Sequence, residues 1–126
     1  MASRTEKMQD VLRTLRGTSP DIIGAAVVSI DGFIVASVLP SEIDEELVSG
    51  MAAAMLGVAE KISTELMTSS MEQVYVRSEK GYVVINAVGS ESVLVVLTTK
   101  EAKLGLVFIE VKRRCADLAK VAQAAA

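Results

Sequence analysis

With 126 residues, 51% of them hydrophobic but only two Tyr, two Phe and no Trp, the chain is sized for one domain with an aliphatic core. Such a domain buries roughly two thirds of its unfolded surface. A net charge of −3 offers no basic stripe and so few rings offer no stacking platform, which speaks against nucleic-acid binding. The absence of histidine excludes Ser-His-Asp and Cys-His catalysis and His-based zinc sites.

The start, MASRTEKMQD, mixes both charge signs and has no apolar centre, and no later run approaches about 18 uninterrupted apolar residues. The expectation is a cytoplasmic protein without membrane insertion. The single Cys115 cannot form an internal disulfide, which agrees with a reducing compartment.

A first amphipathic helix is predicted from Thr5 to Arg16, with Met8, Val11, Leu12 and Leu15 on one face and Gly17 as its stop. Two β-rich runs follow, IIGAAVVSI and FIVASVL, joined at Asp31-Gly32, a strong two-residue hairpin signal. The first is apolar on both alternating faces and belongs in a sheet covered on both sides. Gly24, Ala25 and Ala26 within it read as room for a close-packed helix. Ser41 and Asp44 resemble a capping box opening a long helix from Ile43 to Leu66, ended near Thr68-Ser69-Ser70. Strands are predicted over Glu72 to Ser78, Tyr82 to Val88 and Val93 to Thr99, with linkers short enough for an antiparallel meander. A last helix begins near Ala102, with a core stripe of Leu104, Val107, Phe108, Val111, Cys115, Leu118 and Ala122. The whole chain, 1–126, reads as one domain with its core at about 6–122.

The long helix is the unusual element. Leu47 to Ala59 carries no charge. Leu47, Met51, Met55, Val58, Ile62 and Leu66 share one arc of about 100°, enough to cover the domain's own core. A second arc carries Gly50, Ala53, Ala54 and Gly57, where a surface helix would place Lys and Glu. These small residues could let the helix lie close on its own sheet, but the Leu/Met arc is expected to do that, which leaves the small arc for contact with another chain. Met51 and Met55 are then core. Met67 and the neighbouring Leu56, with Glu60 and Arg77, are the candidate partner contacts. The third strand places Gln73, Tyr75 and Arg77 on one face and Val74 and Val76 on the other, with no proline or bulge to protect its edge.

Other chemistry is scarce. Cys115 lies in a core stripe, where a buried and inert thiol is the usual case. Glu42, Asp44, Glu45 and Glu46 are expected of a first helical turn. No phosphate-binding G-x-x-x-x-G-K-[ST] loop is present, so hydrolysis of nucleotide by the chain itself is not expected. No catalytic, cofactor-binding or metal residues are assigned.

The order α-β-β-α-β-β-β-α, the hairpin SIDGFIVAS, the Ala/Gly/Met-rich long helix, the hairpin GYVVINAVGSESVLVVLTT and the final LGLVFIEVKRRCADLA together resemble the roadblock/LC7 family of dynein light chains. Within it the similarity is greatest to the small prokaryotic MglB-like branch, regulators of Ras-like GTPases. The resemblance implies an α+β domain with a five-stranded antiparallel sheet in the order 2-1-5-4-3, the long helix on one face and the other two helices on the other. It implies a homodimer that joins two third strands edge to edge with the long helices side by side. For this chain the dimer contact would be Gly50, Ala53, Ala54, Gly57, Gln73, Val74, Tyr75 and Val76. The implied function is binding of a small Ras-like GTPase and modulation of its hydrolysis or localisation, without an active site or cofactor of its own. A dimeric scaffold is the alternative, and a small-molecule sensor domain a weaker one.

Overall fold

The computed structural model describes residues 2–124. Along the chain run α1 (Arg4–Gly17), β1 (Ile22–Ser29), β2 (Ile34–Val38), α2 (Glu45–Met67), β3 (Gln73–Ser78), β4 (Gly81–Val88), β5 (Ser92–Thr99) and α3 (Leu104–Ala124). The strands form one antiparallel sheet in the order β2-β1-β5-β4-β3, so β2 and β3 are its edges. This is the expected α+β architecture, strand order included.

Each element follows from local chemistry. The Ser3 hydroxyl accepts from the Glu6 amide at 3.1 Å and caps α1, which presses Met8, Leu12 and Leu15 onto the sheet. Gln9 pins α1 to the edge strand by accepting from the Ser37 amide at 3.2 Å and donating to the Ser37 carbonyl. The alternation along β1 sends Ala25 and Val27 to the α1/α3 side and Ala26 and Val28 to the α2 side, all four fully buried. Two separate cores result, one on each face of the sheet.

Local details differ from the sequence reading. The β1–β2 hairpin is not a two-residue turn: Ser29 N–H donates to the Phe33 carbonyl at 2.8 Å, leaving Ile30, Asp31 and Gly32 as the loop. Gly32 sits at φ +90°, the left-handed position that a three-residue hairpin loop needs. Gly24 does not make room for a helix. A Cβ there would come within 2.8 Å of the Val38 carbonyl oxygen and 3.1 Å of Pro40 Cδ, so the glycine lets the chain leaving β2 cross close over β1. The cap of α2 is Asp44 itself, whose carboxylate accepts from the amides of Glu46 at 2.9 Å and Leu47 at 3.4 Å, and not Ser41. The helix ends at Thr68, in the left-handed region at φ 53°.

Cys115 lies in the α3 core stripe with Val107, Val111 and Leu118. Burial pushes its thiol up from 9.0 to about 11, while a hydrogen bond donated by Asn86 Nδ2 at 3.3 Å pulls in the opposite direction. The raised value favours the neutral thiol in the folded state. That contribution to stability is complete below about pH 9 and is lost as the pH rises toward about 11. Thiol reagents should therefore label native protein slowly and denatured protein fast. The stability advantage of wild type over Cys115→Ala should shrink above pH 9, measured by denaturant titration at several pH values.

Candidate protein-interaction surface

The seat of α2 decides what the protein shows to the outside. The helix lies over β1 and β2 through Val48, Ser49, Ala52 and Ala59, with Met55 and Leu56 half-buried beside them. Ser49, the one buried polar side chain of the helix, returns its hydroxyl to the Glu46 carbonyl at 3.0 Å. Small side chains under a helix let its axis approach the sheet. Those on the opposite side are then left out.

The helix is therefore turned by about a quarter of a revolution from the expected orientation, with an arc between the two expected ones against the sheet. Leu47, Met51, Val58, Ile62 and Leu66, assigned above to the core, are between 52% and 75% exposed, and of that arc only Met55 is half-buried. A sequence signal for this exists: Lys61 and Glu65, an exposed ion pair at 3.8 Å, lie on the same side of the helix as Leu47 and Val58, where charges have no place in a core. Gly50, Ala54 and Gly57 are also exposed, and a Cβ at either glycine would meet nothing within 4 Å. They flank the large apolar arc. Ala53 instead turns toward the β1–β2 loop, 3.5 Å from where a Gly32 Cβ would stand.

Because α2 sits over β1 and β2, the rest of that sheet face is incompletely covered. A groove of about 280 Å³ runs between Met51 and Met55 on the helix and Val76, Val83 and Leu97 on the strands. Its outer wall is the edge strand β3. There Val74 is half-buried on the α2 side, Val76 is exposed on the same side, and Tyr75 packs on the opposite face against Phe108 with ring centroids 5.5 Å apart. Gln73 is exposed and donates through Nε2 to Asn86 Oδ1 at 3.0 Å. Within the described residues the outer edge of β3 has no strand beside it.

The four candidate partner contacts do not form one patch. Met67 is 74% exposed at the end of α2, and Arg77 is exposed at the end of β3. Leu56 is half-buried in the α2-side core. Glu60 is half-buried and accepts the Met71 amide at 3.2 Å, tying the α2–β3 linker to the helix. Among the described residues no group of three or more His, Cys, Asp or Glu side chains could hold a metal ion, and no helix is long and apolar enough to cross a membrane.

A five-stranded antiparallel sheet with one long helix on one face and two on the other, an open edge strand and an outward apolar helix defines a roadblock-type domain. The chain belongs to the Roadblock/LC7 domain family, whose model matches residues 8–98. It is 39% identical over 108 residues to an uncharacterised protein of Methanocaldococcus jannaschii, covering 86% of this chain and 91% of that one. Its fold is that of MglB from Myxococcus xanthus, at a TM-score of 0.89, 20% identity, and 100% and 95% coverage of the two chains. A Roadblock/LC7 domain from Streptomyces avermitilis superposes at a TM-score of 0.86 with 16% identity, over 91% of this chain and 97% of that one.

The two sides of α2 should respond differently to substitution. Ala52 is 3% exposed against the sheet, so the buried, unpaired carboxylate of Ala52→Asp should cost about 3 kcal/mol or more at any protein concentration. Val58→Asn should leave the fold intact and lower the unfolding midpoint only through a term that depends on concentration. Thermal melts over a wide range of dilution separate the two.

Proposed function

We propose that this protein is a homodimeric regulator that binds a small Ras-like GTPase over the α2 side and changes its hydrolysis rate or its localisation. The observation that carries the reading is the outward face of α2: large apolar side chains held in water beside an open edge strand. Burying one such side chain is worth about 1.5–3 kcal/mol, so a face of this kind favours a covering partner. Two β3 edges paired antiparallel about a two-fold axis, centred near Tyr75 and Val76, would close the edge and bring the two α2 helices side by side. Gly50, Ala54 and Gly57 then allow close approach, while Met51 and Val58 supply the apolar contact. The exposed end of the helix, Leu66 and Met67, is assigned to the GTPase, while Arg77 lies at the far end of β3. The family resemblance to MglB-like regulators supplies the partner class.

A scaffold that assembles a complex without altering a rate is the second reading. It is favoured by the same outward apolar face of α2, which assembles partners whether or not a rate changes. Stimulation would come from holding the GTPase's own residues in position, because the arginines of this chain point away from α2. Arg4, Arg13 and Arg16 lie on α1, and Arg113 and Arg114 on α3, across the sheet from α2. Arg77, at the end of the edge strand, shares the face of Tyr75 and Tyr82 and so also points away from α2.

Wild type should sediment as a dimer at micromolar concentration, and Val58→Glu should shift it to monomer. Burying an unpaired carboxylate costs about 3 kcal/mol or more, roughly a hundredfold in the dissociation constant. A folded wild-type monomer at these concentrations would refute the dimer. For the mechanism, a pull-down with GTP-loaded and GDP-loaded GTPase followed by single-turnover hydrolysis is decisive. Met67→Glu should abolish binding. Arg77→Ala should change stimulated hydrolysis by less than about tenfold, whereas loss of an arginine finger would remove about 10³ to 10⁵. Binding with no change of rate would establish the scaffold reading.

A further inference from the structure

The backbone of β3 dictates how a second copy can pair with it. Ala87 N–H donates to the Glu72 carbonyl at 2.9 Å, one step before the register continues as Gln73 opposite Asn86 and Val74 opposite Ile85. Hydrogen-bonded and non-hydrogen-bonded pairs alternate along an antiparallel ladder, so Val74, Val76 and Ser78 also turn their backbone groups toward β4. Those of Gln73, Tyr75 and Arg77 therefore point out of the sheet. Within the described residues no strand takes them up. The side chains of the same three residues lie on the α1/α3 face, where Tyr75 meets Phe108 at 5.5 Å and Tyr82 at 6.5 Å between ring centroids. Three of the chain's four aromatic residues thus gather on the edge of a domain whose core is otherwise aliphatic. Tyr75, the central ring, is still 47% exposed. Tyrosine at such a position is characteristic of interfaces.

A two-fold axis perpendicular to the sheet keeps a long overlap of two β3 strands only at Val74, Tyr75 or Val76, and the residues choose among these. With the axis at Tyr75, Gln73 meets the second copy's Arg77 and Tyr75 meets its own counterpart. All the outward backbone groups then pair, each residue pair exchanging two bonds, about six in all. On the opposite face Val74 meets the second copy's Val76. With the axis at Val76, Gln73 falls opposite Glu79 in the turn and Val74 opposite Ser78. With the axis at Val74, the apolar Val76 falls opposite Glu72. The Tyr75 register alone sets ring against ring and valine against valine. It also puts each Arg77 beside a Gln73 whose Nε2 is given to Asn86, leaving Oε1 to accept from the guanidinium.

We propose that Tyr75 lies on the two-fold axis of the dimer, where the Tyr75, Tyr82 and Phe108 rings of both copies join into one aromatic cluster that fixes the register. The inference rests on the homodimer reading above and adds to it a contact on the sheet face away from α2. Directly opposed residues have Cβ atoms about 5 Å apart, within reach of two rings. Neither copy completes the cluster alone.

The register is read by cysteine cross-linking of the whole protein under mild oxidation, with the buried Cys115 retained and wild type as the control. In a non-hydrogen-bonded pair the Cα atoms are about 4.5 Å apart and admit a disulfide, whereas residues displaced by two along the strands, about 8 Å apart, do not. Val74→Cys and Val76→Cys alone should therefore give little covalent dimer. A one-to-one mixture left to exchange subunits should give at least about fivefold more. By sedimentation, Tyr75→Ala should raise the dimer dissociation constant about tenfold and Tyr75→Phe less than about threefold, with circular dichroism confirming the fold. Cross-linking of Val76→Cys alone would move the axis to Val76, and of Val74→Cys alone to Val74; either overturns the proposal. So would a sedimenting dimer that never cross-links, or a dissociation constant untouched by Tyr75→Ala. All of these leave the homodimer standing. A wild-type monomer at micromolar concentration removes the homodimer itself and the proposal with it.

Discussion

The contact between α2 and the sheet is the constraint on which the rest of this molecule depends. The helix rests on Val48, Ser49, Ala52 and Ala59 over strands whose own inward residues, Ala26 and Val28, are modest in size. A close seat of this kind buries little area per residue, and it places every large side chain of the outward arc in water. It also confines the helix to the β1 and β2 half of the sheet, which opens the groove beside Met51, Met55, Val76 and Val83. Outward apolar face, groove and open edge strand are thus consequences of one packing choice.

The two faces of the sheet divide the work. On the α1/α3 side, Leu12, Leu15, Leu94, Val96, Val111 and Leu118 are fully buried and two helices close the layer. Core residues of that size each contribute on the order of 2 kcal/mol, so this side carries the stability of an isolated chain. The α2 side holds a thinner core that another chain can extend. A protein with one closed face and one unfinished face is suited to bind through the second while the first holds the fold.

The segment from α2 to β3 shows how the unfinished side is kept in order. Thr68 ends the helix in a left-handed conformation that β-branched residues seldom adopt, with its amide bonded back to the Ser63 carbonyl. Three residues on, the buried Met71 is held by the Glu60 carboxylate through its amide. The linker is thereby fixed at both ends, and β3 enters the sheet in register from Gln73 opposite Asn86 to Ser78 opposite Gly81.

Much of this was legible in the sequence because it is a matter of local periodicity. Short apolar, β-branched runs bounded by turn residues in β1, β4 and β5, the 3.6-residue stripes of α1 and α3, and the short linkers of the meander determine the elements and their antiparallel connections, while the full strand order came from the family resemblance. The burial of Cys115 follows from the same stripe. The orientation of α2 was not legible in this way. Its sequence is apolar on more than one arc, and periodicity records that a face is apolar, not which face meets the sheet. The choice is made by fit: Ala52 and Ala59 allow an approach that Leu47, Met51 and Val58 would prevent, and an ion pair between Lys61 and Glu65 needs water.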